Sequence, residues 1–568
     1  MKASNTKQWR LNLGQQRGLV FLTLLGAGCG LLASFIIILF RWVIDSGQMW
    51  LTQSQQADQF ELLSTSSRFL LPIVGALAIA FILKTLPTQT SKTGLAYVLD
   101  RLHKNKARIP FANTMVQFIV ASIALISGQS VGREGPAVHL GAGVASSFAF
   151  RLSLPTSFAR ILLGAGAAAA VAASFNTPIA GVIFAMEVIL MEYTVFGFMP
   201  IIAASVVGTY VTSVIYPHEP LLTEIEFSTQ SYLELLYVIF AGFVIGGIAA
   251  LFNRIIRTCL KCLHWNIFLR LGLAGMFTGI LAIFIPNVMG AGYDSLIMIL
   301  HSQPVLSVLI ALLFAKLFAT AITIGFGMPA GLIGPTFVIG AALGAILGTL
   351  LPFIIPGAQA NPVFYALIGM TAMMGATLQA PLAALLAVIE LTTNQNIILP
   401  AMLCIIISNL VCHYLFNQPS IFLSILQSQG LKINDEKISL QLSQQWLGEL
   451  SSKQFEMLES TFTLQDVVQI KTRWIAIIGD SVKSDNYLIE KSQLLEMLAD
   501  LSAHASDTFE AKSILKGAYR LELIEQDIHI NQAISHLHNI NLAGFILPFD
   551  NELSIVTREQ LINFIAKQ

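Results

Sequence analysis

The sequence predicts an all-α polytopic membrane protein of two inverted repeats of broken and tilted helices, followed by a cytoplasmic α/β tail. Three observations carry that prediction. The 568 residues are 55% hydrophobic and 11% charged, against about 25% charged in soluble domains. Blocks of sequence recur after about 200 residues. Composition then changes abruptly near residue 430, beyond which charge is dense. The 32 basic and 32 acidic residues balance, so nothing points to nucleic acid or another polyanion as a partner.

Taken in order, residues 1–17 hold Lys2, Lys7, Arg10 and Arg17 and no acid. The apolar run 18–40 exceeds a signal-peptide core and reads as a retained first span. The positive-inside rule puts the segment before it in the cytoplasm. Runs 69–85, 195–216, 233–252 and 398–416 are also long enough to cross a bilayer. By contrast, 111–128, 136–150, 160–174, 178–191, 330–350, 362–375 and 381–392 are short or interrupted by Gly and Pro. Broken helices at membrane depth are tolerated where they are buried in protein or line a cavity.

The interrupted segments come in two matching sets. "GREGPAVHLGAG" (132–143) falls over "GLIGPTFVIGAA" (331–342) at an offset of 199. "FNTPIAGVIFAMEV" (175–188) falls over "LQAPLAALLAVIEL" (378–391) at an offset of 203, and "LLGAGAAAA" (162–170) over "ALIGMTAMM" (366–374) near it. Three blocks in one order define a duplication, with repeat one at about 69–216 and repeat two at about 233–416 of a membrane domain 18–430. Interrupted segments at corresponding places in two halves point to a substrate site at the repeat interface, which is a transport architecture. A linker at 431–445 leads to a tail, 446–568, that is itself paired. "TLQDVVQ…RWIAIIGD…YLIEKSQLLEML" and "HINQAISHL…AGFILPFDNELSIVTREQLINFI" each read as helix, strand, then strand leading into helix.

A helix N-terminus presents unpaired N–H groups and partial positive charge, and so attracts an anion. "GREGP" and "GLIGP" would put two such ends at equivalent places. If the halves are inverted the two ends meet near mid-membrane, and the expected ligand is a small dehydrated anion held by backbone N–H groups.

These residues carry a family resemblance. "GREGPAVH" resembles the GxEGP motif of the CLC family of chloride channels and chloride/proton antiporters, "GLIGPTFVIGAALG" its GxFxP segment, and "PSIFLSIL" (419–426) its C-terminal helix. The tail resembles a pair of CBS modules. The resemblance implies that Glu134 is the gating glutamate, whose carboxylate occupies the anion site and swings out for chloride or on protonation. It implies chloride binding by the segment Gly132, Arg133 and Gly135, with Arg133 lending positive charge, and by the backbone N–H groups of Leu332 and Ile333. "KTGLA" (92–96) stands where the family has GSGIP, which gives Thr93 the ligating hydroxyl.

Two departures bear on mechanism. Phe422 stands where the family's tyrosine touches the inner side of the ion. "MEV" places Glu187 and then Val188 where proton-coupled members have two glutamates, so the proton path would run through Glu134 and Glu187 without its usual inner acceptor. The expected function is therefore chloride transport through a glutamate-gated pathway, passive or weakly coupled. The alternatives are a chloride/proton antiporter, with protons as second substrate, and a membrane enzyme. "GQSVG" (128–132) fits a serine-hydrolase pattern but lacks evident triad partners, and "CLKC" (259–262) is one CxxC without the four ligands a metal needs, so neither an enzyme nor a metal site is expected. His139 reads as a buried, hydrogen-bonded helix residue. "TREQ" puts Gln560 where nucleotide-binding CBS modules commonly have an acid, so chloride is the one bound ligand expected, and no cofactor. The family also implies a homodimer, here in a bacterial plasma membrane with both termini cytoplasmic.

Overall fold

The computed structural model describes residues 16–429 and 447–567, apart from 88–89, 105–106, 194, 217–231, 303, 357–360, 393–394, 451–454, 479–485, 502–507, 512–514, 516–518, 525–529, 531–532, 534–541 and 550–551. Most of the N-terminal segment 1–17, the linker 431–445 and most of "HINQAISHL" lie outside the described residues. The chain divides into two compact units, Met1–Leu431 and Lys432–Gln568.

The first unit is helical. It opens with α1 (Gln16–Thr52), α2 (Thr65–Thr85), α3 (Gly94–Lys104), α4 (Phe111–Ile126) and α5 (Glu134–Arg151). These lead to α6 (Thr156–Phe175), α7 (Pro178–Phe184), which continues as a π turn over Ala185–Leu190, and α8 (Val195–Ile215). The series then recurs as α9 (Tyr232–Leu260), α10 (Ile267–Phe284), α11 (Tyr293–Ile297), α12 (Leu306–Gly325) and α13 (Ile333–Ile354). It closes with α14 (Pro362–Leu378), α15 (Pro381–Thr392), α16 (Ile398–Leu410) and a final α17 (Ile421–Ser428).

The repeat is legible in the backbone. α5 and α13 begin 199 residues apart, α7 and α15 203 apart. The residues that end α6 and α14, Asn176 and Gln379, are both left-handed, with φ of 59° and 56°. Gly132 and Gly331, equivalent by the same offset, form an antiparallel bridge in which each N–H donates to the other's carbonyl at 2.7 Å. An antiparallel pair of equivalent residues is the local signature of a two-fold axis between the repeats. Equivalent helices meet in pairs around it: α2 with α10, α5 with α13, α7 with α15. Lipid supplies no hydrophobic drive between helices, so close approach relies on small residues. A Cβ on Gly141 would strike the Gly166 carbonyl where α5 crosses α6, and one on Gly340 the Gly369 carbonyl where α13 crosses α14.

Among the described residues, nine helices are long and apolar enough to span a bilayer. Five helices depart from the sequence expectation. The first span runs to Thr52 rather than 40, because Arg41 and Asp45, which end the apolar run, pair at i, i+4 over 3.4 Å and let the helix continue. α6 and α13, read as short broken segments, have 20 and 22 residues, since buried Gly and Ala at helix crossings do not break them. α10 and α12 were not read as spans at all. α12 carries Lys316 inside its apolar stretch, and that charge is satisfied internally.

The second unit is α/β. β1 (Phe455–Glu459), α18 (Leu464–Gln469), β3 (Trp474–Ile478), β4 (Asn486–Glu490) and α19 (Lys491–Asp500) form one half. β6 (Tyr519–Leu523), β7 (Leu542–Phe549), β8 (Glu552–Thr557) and α20 (Arg558–Lys567) form the other, and β2 (Thr461–Thr463) pairs with β5 (Thr508–Glu510) apart from them. The main sheet has the order β1-β3-β4-β6-β7-β8. In each half a parallel pair is followed by an antiparallel one, and the halves join through antiparallel β4 and β6. Each half has its own apolar core, around Phe462, Ile475 and Leu494 in one and Phe545, Val556 and Leu561 in the other.

Candidate functional site

The site begins with the Gly132–Gly331 bridge, which sets the N-termini of α5 and α13 beside each other. Pro136 and Pro335 sit in the first turns, where a missing N–H costs nothing. The N–H groups of Glu134, Gly135, Ile333 and Gly334 have no intrahelical acceptor by their position. Glu134 is fully buried at this junction. Its carboxylate lies between the two glycine backbones: a Cβ on Gly132 would collide with Oε2, and one on Gly334 would come within 3.1 Å of Oε1. Oε1 accepts a hydrogen bond from the Tyr293 hydroxyl at 2.9 Å, and among the described residues Oε2 has no hydrogen-bond partner.

Two cavities lie against this pair. The first, about 370 Å³, is lined by Thr93, Glu134, Gly135, Leu332, Ile333 and Phe422, among others. The second, about 510 Å³, is lined by Arg41, Asp45, Asp58, Arg133, Tyr293 and Asp294, with Phe175 and Phe337. The two linings have no residue in common, so Glu134 and Tyr293 bond to each other across the partition.

Of the residues named from sequence, the structure thus brings Thr93, Glu134, Gly135, Leu332, Ile333 and Phe422 to one cavity. Thr93 is delivered by the loop before α3, which is held by buried side chains. Gln117 accepts from the Gly94 N–H at 2.7 Å and donates to the Pro329 carbonyl at 3.0 Å, tying the two loops together across the repeats. Asn113 donates to the Lys92 and Thr90 carbonyls, its Oδ1 accepts from His139 Nε2 at 2.7 Å, and His139 stacks on Tyr97. His139 is the buried, hydrogen-bonded residue the sequence suggested.

Arg133 is placed differently from the expectation. Its guanidinium belongs to the second cavity, 4.5 Å from the centroid of the Tyr293 ring, with one bond to the Ser174 carbonyl at 3.4 Å. Consecutive residues at the start of a helix point about 100° apart, so Arg133 and Glu134 face opposite sides of the partition. Gly132 serves through its bridge and lines neither cavity. Glu187 and Val188 also lie outside both cavities. Val188 is buried, and Glu187 accepts from the N–H groups of Leu382 and Ala383 at 3.4 and 2.9 Å. Glu390 does the same for Ile179 and Ala180 at 2.9 and 2.8 Å. Ser130 of "GQSVG" bonds to the Thr320 hydroxyl at 3.0 Å.

Sequence reading missed Tyr293. The signal was present, because the offset of 199 that aligns "GREGP" with "GLIGP" also lays "TG" (93–94) over "GY" (292–293). In the tail, Gln560 Oε1 accepts from both the N–H and the hydroxyl of Thr557, which makes "TREQ" a capping box for α20.

Comparison with known proteins agrees with this architecture. The chain is 29% identical over 400 residues to a putative chloride channel protein, ClcB-like, of Ralstonia nicotianae, covering 68% of this chain and 92% of that one. The fold is similar to that of a slow cyanobacterial Cl⁻/H⁺ antiporter, with a TM-score of 0.65 at 21% identity, over 73% of this chain and 99% of the other. It is also similar to a eukaryotic CLC transporter, with a TM-score of 0.63 at 17% identity, over 96% of this chain and 99% of the other. Residues 74–413 match the profile of the voltage gated chloride channel family. With well over half of its length matched, the chain belongs to that family, the CLC proteins.

Proposed function

We propose that this protein carries chloride across a membrane through a pathway gated by Glu134. One observation supports this above the others. A fully buried carboxylate, with one oxygen unpartnered among the described residues, occupies the meeting point of two helix N-termini and separates two cavities. Such a junction favours negative charge, so the carboxylate and a permeant anion compete for it. An ionisable group at membrane depth is costly unless it serves the transport path. In the first cavity the N–H groups of Leu332 and Ile333 and the Thr93 hydroxyl would hold the anion. Phe422 gives that cavity an apolar wall where a hydroxyl would otherwise close it.

The passive or weakly coupled reading is favoured by Glu187, whose carboxylate is engaged by two backbone N–H groups, and by the apolar Val188 beside it. Chloride/proton exchange is the second reading. It rests on Glu134 as a proton acceptor at the partition, with Glu187 as a candidate relay, and it is the activity named for one structural neighbour. With the basic N-terminus inside, the second cavity faces out, the first faces in, and both termini are cytoplasmic. The bacterial relative fits a plasma-membrane location, and a homodimer follows the family.

Residues 446–568 are proposed to be a CBS pair, supported by two halves of matching strand order. The closed Thr557–Gln560 box favours a tail that acts by packing rather than by nucleotide binding.

The test uses purified protein in chloride-loaded liposomes, with chloride efflux and external pH recorded together. Efflux without stoichiometric proton movement supports the channel-like reading. Proton uptake tracking efflux, and uphill chloride movement on a pH gradient, would establish the antiporter. No anion flux would overturn both.

A further inference from the structure

Lys316 is a charged residue in the middle of α12 with no exposed surface. Burying an ammonium is costly unless each of its donors is used. All three are used here, and on one loop: Nζ donates to the carbonyls of Val288, Met289 and Gly290 at 3.0, 3.3 and 2.9 Å. Two residues further on, Asp58 Oδ2 accepts from the N–H groups of Gly292 and Tyr293 at 3.2 and 3.3 Å. Gly292 is left-handed with φ of 86°, and a Cβ there would lie 3.1 Å from Lys316 Nζ and 2.8 Å from Val338, so the loop is drawn tight against α12 and α13. The loop ends in Tyr293, whose hydroxyl reaches Glu134 and whose ring is covered by Arg133.

The repeat shows that this position has a loop-holding task. Lys316 lies 199 residues after Gln117, and Gln117 holds the equivalent loop ahead of α3 in repeat one. There Gln117 accepts from one N–H of its own loop and donates to the Pro329 carbonyl of repeat two, and a neutral amide does both. In repeat two three carbonyls turn inward, which only a group with three donors can satisfy. An apolar residue at 316 would leave them unpaired, and buried unpaired carbonyls relax by moving.

We propose that Lys316 and Asp58 are positioning residues for a latch: they fix the loop 288–293 so that Tyr293 holds Glu134 in its occluding position. This rests on the gating role proposed for Glu134. The latch bond is charge-assisted, so its loss should speed release of the gate and raise chloride efflux by roughly tenfold.

The experiment measures initial chloride efflux from liposomes holding the full-length protein. Tyr293→Phe, Lys316→Met and Asp58→Asn are each expected to raise the rate by a similar factor. Lys316→Met combined with Tyr293→Phe should be no faster than Tyr293→Phe alone, and Lys316→Arg should restore the wild-type rate. In a Glu134→Ala background, where there is nothing to latch, Lys316→Met should change nothing. A fall in efflux of the same size in both backgrounds would overturn the proposal, because the lysine would then serve the anion or the fold directly. So would a faster Tyr293→Phe alongside unchanged Lys316→Met and Asp58→Asn, since the loop would then hold itself. If Glu134→Ala itself matches wild type, the gating reading fails, and the latch with it; the two preceding failures leave gating intact. Should Lys316→Met not fold, the near-isosteric Asp58→Asn carries the same comparisons.

Discussion

Glu187 and Glu390, 203 residues apart, cap each other's halves. The carboxylate of Glu187, past the end of α7, takes the first N–H groups of α15, and that of Glu390, on α15, takes the first N–H groups of α7. Each places an anion at a helix N-terminus, where the dipole favours it. The reciprocal caps tie repeat to repeat at the edge where α7 and α15 touch.

Removing either charge should therefore cost stability rather than flux. Glu187→Gln and Glu390→Gln are each expected to lose about 1 kcal/mol, discounted because both carboxylates are partly exposed. A lower midpoint of thermal unfolding in detergent, with unchanged chloride efflux, is the expected result. Loss of proton movement in Glu187→Gln would instead make that residue a relay.

Phe422→Tyr would place a hydroxyl in the first cavity, which Phe422 lines. A new donor for the anion should tighten chloride binding about fivefold, the scale of one net hydrogen bond of about 1 kcal/mol. Transport should slow, because a tighter site releases its ion less readily. Isothermal titration with chloride and the efflux assay would read the two effects separately.

Asp294 lies on short α11, outside the candidate spans, and lines the second cavity. Partial burial, with Glu61 and Asp58 nearby, pushes its carboxyl up to about 7. It is neutral below that pH and charged above it, so the cavity, which also holds Arg41, Asp45, Asp58 and Arg133, turns more negative as pH rises. Anion access from this side should fall between pH 6 and 8, roughly centred on that value. Asp294→Asn should remove this component, measured in a Glu134→Ala background so that the gate does not titrate. The folded state holds this proton more tightly than the unfolded chain, so stability is lost as pH rises from the unfolded value of about 3.9 toward 7. Asp294→Asn should accordingly stabilise the protein more at alkaline than at acid pH.

Gly141→Ala and Gly340→Ala should prevent folding, since each adds a methyl against the carbonyl of a crossing helix. Gly247→Ala on α9, where a Cβ meets nothing within 4 Å, should be neutral. Size-exclusion profiles of the three variants in detergent would check both statements.

The sequence by itself determined the membrane class, the two repeats, the glycine-rich helix starts and Glu134 at one of them. Composition and repetition are properties of the chain, and a helix N-terminus announces itself through local residues such as "GREGP". The run of strand, strand and helix in each tail half was legible for the same reason, whereas β1 and β6, which open the halves of the sheet, were not. Hydropathy admits both α10 and α12 as spans, but it cannot see why α12 tolerates Lys316, for which three carbonyls are arranged. Nor could adjacency in sequence tell that Arg133 and Glu134 face different cavities, because the helical turn between neighbouring residues sends them apart. Tyr293 reaches Glu134 from 159 positions away. Only the two-fold packing of the repeats, which folds a loop of one half over the helix start of the other, decides that contact, and with it what holds the carboxylate in place.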